Sequence, residues 1–347
     1  MKNPLKGGAE VVTDIYCKGL VDKGHEVVLF ASAFPNCARE ETYNNYTILR
    51  KGGRLSVYWH ASKYVIKNIK SFDYIIDQVN TLPFFTPLYV SKKKRIAFFH
   101  QLAMNVWFYE TNFLIATIGI CLEWLYLKLY MNTRAFVVSK STKQDLMNYA
   151  LAKSRNILVL DNQIDFKPVA KIPEKEDYFV FCGRLKKSKR VHDCIKAIAN
   201  VPGAKLKIIG DGDEKYKLEL HQLVKQLHIK NKVEFLGFRS FKERNMIMGK
   251  AQAILVTSIR EGWGLIVTEA NTNGTMAITY DVPGLRDANK KGIITKKNDF
   301  KELVKEMRAI FKNKELNLNY SRQSLNFAKQ HINWDEKINE LEKWMSR

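Results

Sequence analysis

Ser258-Ile259-Arg260-Glu261-Gly262-Trp263-Gly264-Leu265-Ile266-Val267-Thr268-Glu269 is the stretch on which the reading of this chain turns. It follows an apolar run, Ala253-Ile254-Leu255-Val256, with the length and content of a buried parallel strand. Gly262 and Gly264 allow a tight turn around Trp263, and Leu265 to Asn273 reads as a short helix stopped by Gly274. A glycine turn feeding a helix start offers free backbone N–H groups and a positive dipole end, which suits a phosphate. Glu261 in the turn and Glu269 in the helix would border one pocket at different depths. Carboxylates do not bind an anion, so they are expected to face hydroxyls, as on a sugar or a ribose. The bland alternative is an ordinary strand-turn-helix, with Glu261 a helix-start acid and Glu269 solvated.

Upstream, Tyr178 to Cys182 reads as a strand broken at Gly183-Arg184-Leu185, with Lys186, Lys187, Lys189 and Arg190 ahead of a helix near Val191. Arg184 offers a planar fork and Lys189 a point charge, a second wall for the anion, against plain solvation of a basic loop. Leu206–Ile209 is a strand followed by Gly210-Asp211-Gly212-Asp213. Alternating aspartates can hold a metal, but after a strand this pattern is more often a turn. Strands are expected at Val233–Leu236 and Met276–Tyr280, a linker from Phe166 to Asp177, and a helical tail anchored by Trp334 and Trp344.

The first half alternates in the same way. A helix over Val11–Leu20 is followed by strands at Glu26–Phe30, Tyr46–Leu49, Tyr74–Val79, Arg95–Phe99, Ala135–Val138 and Ile157–Leu160. Alternation of this kind is the mark of a parallel sheet covered by helices on both faces. His100, at the end of its strand, points into the crevice where such sheets bind ligands, and Asn80 holds a similar place with weaker chemistry. A doubly wound domain normally opens on a central strand, yet only six residues precede Gly7, so either the sequence begins at an internal methionine or this sheet is expected to lack that first strand. The helix carrying Tyr58, Trp59, Lys63, Lys67 and Lys70, with Lys92-Lys93-Lys94-Arg95 near it in sequence, has the makings of an interfacial surface or of a solvated face over core aromatics.

With 347 residues, 46% of them hydrophobic, the chain suits two α/β domains. Its formal charge of +22 points to an anionic partner. Residues 1–168 hold 22 Lys+Arg against 13 Asp+Glu (+9), leaving 35 against 22 (+13) for the remainder, so no single basic tail exists, and no nucleic-acid-binding motif stands out. Five isolated cysteines suit a reduced cytosol. The longest apolar run, Phe113–Leu122, is short of the roughly 20 residues a membrane span needs.

Gly7-Gly8-Ala9-Glu10, Gly24-His25-Glu26-Val27, Gly183-Arg184-Leu185 with Lys189, Gly210-Asp211-Gly212, Val233-Glu234-Phe235-Leu236-Gly237 and Glu261-Gly262-Trp263-Gly264-Leu265 with Glu269 together resemble a retaining glycosyltransferase of family 4. The resemblance runs along almost the whole chain. It implies an α/β fold of two Rossmann-like domains facing across a cleft, the GT-B architecture: residues 1–168 on the acceptor side, 169–325 binding the nucleotide-sugar, and 326–347 crossing back. It also implies catalytic roles for Glu261, at the donor sugar, and for His100. Glu269 would hold the ribose, and Arg184 and Lys189 the diphosphate, helped by backbone around Gly183, Gly262, Trp263, Gly264 and Leu265. The Gly7-Gly8 loop would face the phosphates or the acceptor. Neither metal nor cofactor is then required, since two cations and a helix end take the leaving charge. The expected partners are a nucleotide-sugar and a glycan or lipid-linked acceptor, at an anionic membrane surface on its cytoplasmic side. Asn162-Gln163-Ile164-Asp165 and Thr275-Met276 depart from the family pattern.

Two other readings compete. A glycoside hydrolase would also use two carboxylates, but would have no need of Arg184, Lys189 and a phosphate-ready helix. A truncated, non-catalytic subunit or membrane-surface scaffold would follow from the lacking strand.

Overall fold

The computed structural model describes residues 7–347. They form two compact units: one comprises the chain up to Met104 with Ile118–Asp165 and Asn333–Arg347, the other Asn105–Thr117 and Phe166–Ile332.

In the first unit, α1 (Gly8–Asp22) starts where the Glu10 carboxylate accepts the Gly7 N–H at 2.8 Å. There follow β1 (Val28–Ala31), β2 (Glu40–Tyr43), β3 (Tyr46–Arg50), α2 (Ser56–Lys67), β4 (Ile75–Asn80) and β5 (Arg95–Gln101). After α3 (Trp107–Glu110), which belongs to the second unit, come α4 (Phe113–Leu129), β6 (Arg134–Val137), α5 (Lys140–Tyr149) and β7 (Ile157–Val159). Ser139 caps α5 through Thr142 N–H. The strands make two sheets, ordered β1-β3-β2 and β4-β5-β6-β7. Not every strand is parallel, as the alternation implied: β2 and β3 form an antiparallel hairpin whose turn, Asn44-Asn45, takes φ of 48° and 64°. Asparagine tolerates that left-handed geometry, and an Asn-Asn pair between strands was the signal. α1 spans both sheets, with Cys17 on Tyr46 and Ile48 of β3 and Tyr16 edge-on to Phe98 of β5 and Phe136 of β6. That is where the helix after a central strand would lie. The six residues on which the first-strand expectation falls are outside those described.

Along β5 the side chains alternate. Ala97 and Phe99 pack with Tyr126, Leu127 and Tyr130 at the α4 end, while Phe98 and His100 face the side of α1.

The second unit is one six-stranded sheet, every pair parallel: β8 (Tyr178–Cys182), β9 (Lys205–Ile209), β10 (Val233–Gly237), β11 (Ile254–Val256), β12 (Ala277–Tyr280) and β13 (Ile293–Thr295). Their order is β10-β9-β8-β11-β12-β13. The chain therefore reverses direction between β8 and β11, and ligands bind beyond the carboxyl ends of strands at such a reversal. Around the sheet lie α6 (Val191–Ala199), α7 (Glu214–Gln226), α8 (Phe241–Lys250), α9 (Leu265–Thr272), α10 (Leu285–Ala288), α11 (Phe300–Lys312) and α12 (Lys314–His331). The boundary read at 326 falls inside α12. The segment read as a linker is packed: Lys175 Nζ donates to the carbonyls of Gly249 and Gly274, at the ends of α8 and α9, and to Thr275 Oγ1. Burial pushes that ammonium down to about 7, opposed by three acceptors within 2.8 Å.

α13 (Trp334–Met345) closes the chain in the first unit, where Trp334 meets Tyr16 edge-on and Glu342 lies 2.8 Å from His25. No described helix is long and apolar enough to cross a membrane.

Candidate active site

Two loops meet at the reversal. Beyond β8 the backbone keeps pairing: Gly183 N–H donates to Ile209 O, Leu185 N–H to Asp211 O, and Asp213 N–H to Leu185 O. This close approach needs Gly210, where a Cβ would sit 1.9 Å from the Gly183 carbonyl oxygen. The Gly-Asp-Gly-Asp stretch is thus a backbone wall for the Arg184 loop. Its acids are used locally, Asp211 by Lys217 at 2.6 Å and Asp213 as the cap of α7.

The second loop follows β11. Ile259 N–H donates to Ser188 O, and Thr257 Oγ1 to the carbonyls of Lys189 and Arg190, stitching it to the first. This brings Lys189 Nζ and Glu261 Oε1 into a close ion pair, which Ser258 Oγ joins at 2.7 Å. The Val282-Pro283-Gly284 turn backs Glu261: its N–H donates to Pro283 O, and a Cβ on Gly284 would lie 2.3 Å from the Glu261 carbonyl oxygen. On the other loop, Glu110 from α3 accepts from Lys186 Nζ at 3.1 Å and Ser188 N–H at 3.2 Å.

Gly264 is the N-cap of α9, and no side chain caps the helix. The first-turn N–H groups therefore have no side-chain acceptor. Trp263 is buried, with Nε1 donating to Thr268, so it presents backbone rather than ring to the loop. Within α9, Glu269 Oε2 lies 2.9 Å from Arg244 Nη2 of α8 but makes no well-directed hydrogen bond, and Arg244 Nε has no partner either. Burial raises the Glu269 pKa and Arg244 pulls it back part of the way. Both charges act on Cys182, the last residue of β8, whose thiol burial pushes up to about 12. Glu269 thus lies within electrostatic reach of the strand end that leads into Gly183 and Arg184. Arg184 itself is exposed and has no ion pair among the described residues.

The first unit holds the remaining expected residues. Gly7 caps α1 and the exposed Gly8 opens it, again without a side-chain cap. His100 is the penultimate residue of β5 and almost fully buried, its Nε2 3.0 Å from Gln78 Oε1 of β4. Thr13 Oγ1 of α1 reaches the same oxygen at 2.5 Å. Burial depresses the His100 pKa to about 3, so the ring is neutral at physiological pH.

Of the expected residues, Lys189 and Glu261 are in direct contact, the glycines shape the two loops and the start of α9, and Glu269 is held by Arg244. Sequence reasoning passed over Arg244, Ser258, Glu110 and Gln78. Their partners lie between 3 and 78 residues away, and only Ser258, three before Glu261, carried a local signal.

Residues 6–167 match the family model described as Glycosyltransferase Family 4, and residues 162–327 that described as Glycosyl transferases group 1. The O-antigen chain mannosyltransferase RfbU of Salmonella typhimurium is 31% identical over 157 residues, 45% of this chain and 44% of that protein. The chain thus spans less than half the length of that curated relative. Among solved structures, the sucrose-phosphate synthase of Thermosynechococcus elongatus superposes with a TM-score of 0.81 at 16% identity, over 97% of this chain and 92% of that one. HepE of Anabaena, solved in complex with UDP and glucose, gives 0.77 at 16%, over 100% and 98%. At such identity the likeness speaks for the fold alone, that of a GT-B protein with two Rossmann-like units.

Proposed function

Since the chain belongs to the group 1 glycosyltransferases of the family 4 type, we propose that it moves a sugar from a nucleotide-sugar to a hydroxyl of a lipid-linked or polysaccharide acceptor, with retention at the anomeric carbon. The observation that carries this reading is the meeting of Lys189, Glu261, the uncapped start of α9 and the under-satisfied Glu269 at one sheet reversal. A diphosphate supplies the acceptors that Lys189, exposed Arg184 and the α9 N–H groups want. Ribose hydroxyls supply the donors that Glu269 Oε2 lacks. Glu261, backed by Ser258, is left to face the sugar.

In the proposed reaction the diphosphate departs with its charge taken by Arg184, Lys189 and the helix end, leaving an oxocarbenium-like centre. The acceptor hydroxyl attacks from the same face, and its proton passes to the departing phosphate oxygen. Neutral, buried His100 serves as a hydrogen-bonding group rather than as an acid, with Gly7 and Gly8 lining the acceptor side. No observation favours the scaffold reading. The setting proposed is the cytoplasmic side of an anionic membrane.

UDP-, GDP- and ADP-sugars are the substrates to screen, by thermal shift and by release of nucleoside diphosphate. Glu261→Gln should lower transfer by about 10²-fold or more with the protein folded. Arg184→Ala should chiefly weaken donor binding. Wild-type transfer by the Glu261 variant counts against the assignment.

A further inference from the structure

α4 covers the β4–β7 sheet with one face only. Ala116, Gly119, Glu123, Tyr126 and Leu127 point inward. On the opposite side Leu114, Ile118, Leu122, Leu125 and Leu129 form one row at helical spacing, 39–69% exposed, with Trp124 exposed at its flank. At the end of α5, exposed Tyr149 lines an apolar groove of about 490 Å³ with Ile120, Cys121, Trp124 and Leu125, and exposed Leu151 follows two residues on. A continuous row of exposed apolar side chains of this kind marks a docking site.

The charge around the patch identifies the occupant. Lys128 Nζ sits 4.0 Å over the Trp124 ring, and Lys153 and Arg155 are exposed just beyond Leu151. Residues 113–155 carry six Lys and Arg against two Asp and Glu, 6 − 2 = +4, and one of those acids, Glu123, is turned inward. A second copy of so basic a chain would bring like charge to the same rim, whereas acidic headgroups complement it. Spanning is excluded by geometry. Seventeen helical residues reach about 25 Å against a hydrocarbon thickness of about 30 Å, and Glu123 is fastened by the N–H groups of Ala103 and Met104, each at 2.7 Å.

We propose that the outer face of α4, with the Tyr149–Leu151 shoulder, lies in the headgroup–acyl boundary of an anionic lipid bilayer, rings and leucines below and Lys128, Lys153 and Arg155 at headgroup level. The helix α2, which the sequence offered as an interfacial surface, also exposes Trp59 and Ile66, with Lys63 Nζ 3.5 Å over the Trp59 ring; the α4 face is proposed in addition to it. The inner face of α4 fastens the loop that leaves His100. On the transferase reading, which this clause alone rests on, the docked face sets the His100 end of β5 near acceptors carried in the lipid.

The test is co-sedimentation of the full chain with vesicles of phosphatidylcholine alone and of equimolar phosphatidylcholine and phosphatidylglycerol. Wild type should pellet with the anionic vesicles. Leu122→Asp with Leu125→Asp should weaken that partition by at least about tenfold at unchanged melting temperature. Lys128→Gln with Lys153→Gln and Arg155→Gln should erase the preference for anionic over neutral vesicles. Equal partition of the aspartate variant, or no wild-type binding to either vesicle, overturns the proposal. So does a wild-type dimer that the aspartate variant dissociates in sedimentation velocity, which would make the face a contact between copies. Nucleoside diphosphate release from the donor in lipid-free buffer reports on the transferase reading separately, because the docking variants leave Lys189, Glu261 and Glu269 untouched.

Discussion

At the residue scale the site combines saturated and unsaturated polar groups, and the unsaturated ones predict most. Arg244 is the counter-charge of a buried carboxylate already short of hydrogen bonds. Arg244→Ala should therefore raise the donor KM and cost about 1–3 kcal/mol of stability, read as a lower urea midpoint. An unchanged KM would detach Glu269 from donor binding. His100 supplies a pH test. Its folded pKa of about 3 lies below the ordinary value of about 6.5, so between those values the unfolded chain binds the extra proton and the native ring does not. Stability from this group is fully present above about 6.5 and falls as pH drops towards 3, with a slope of about 1.4 kcal/mol per pH unit. His100→Asn should flatten that acid limb of the stability curve. Since the neutral ring does not titrate between pH 5 and 8, the same variant should leave the pH optimum of transfer in place while lowering its height.

At the element scale the loops depend on where backbone meets backbone. Gly284 stands at φ 81°, its α-carbon against the Glu261 carbonyl. Gly284→Ala should lower the melting temperature, costing about 1–3 kcal/mol, and should reduce transfer by displacing Glu261; a fully active, equally stable variant would show that the turn does not support the site. Most of this architecture was legible in advance. Continuous apolar runs such as Ala253–Val256 marked strands buried on both faces, and Gly264 and Gly274 marked the ends of α9. The β2–β3 hairpin was passed over because Glu40 to Tyr43 is a polar, half-exposed strand whose only signal was the Asn pair in its turn. Arg244 and Glu110 were out of reach for another reason: sequence periodicity reports which face of an element is apolar, not which distant carboxylate or cation a folded loop will bring to it.

At the scale of the whole molecule, two kinds of electrostatics should separate. The excess of +22 is spread over both halves and should bind any polyanion loosely. Heparin affinity should therefore collapse as salt rises from 50 to 200 mM, as counterion release dictates. Donor affinity, set by a few partly buried charges, should change far less; parallel loss of both would argue against a built pyrophosphate site. The division of the chain into Asn105–Thr117 with one unit and Asn333–Arg347 with the other has a practical outcome for dissection. A fragment starting at Phe166 would leave Lys186 and the Ser188 amide without the Glu110 carboxylate, and one ending at Asp165 would strip the Trp334 indole from Tyr16. Chimaeras built by swapping halves at that junction would therefore inherit two incomplete pieces. Exchanges that respect the folded bodies must carry the 105–117 insert with the 166–332 stretch and the last fifteen residues with the amino-terminal part.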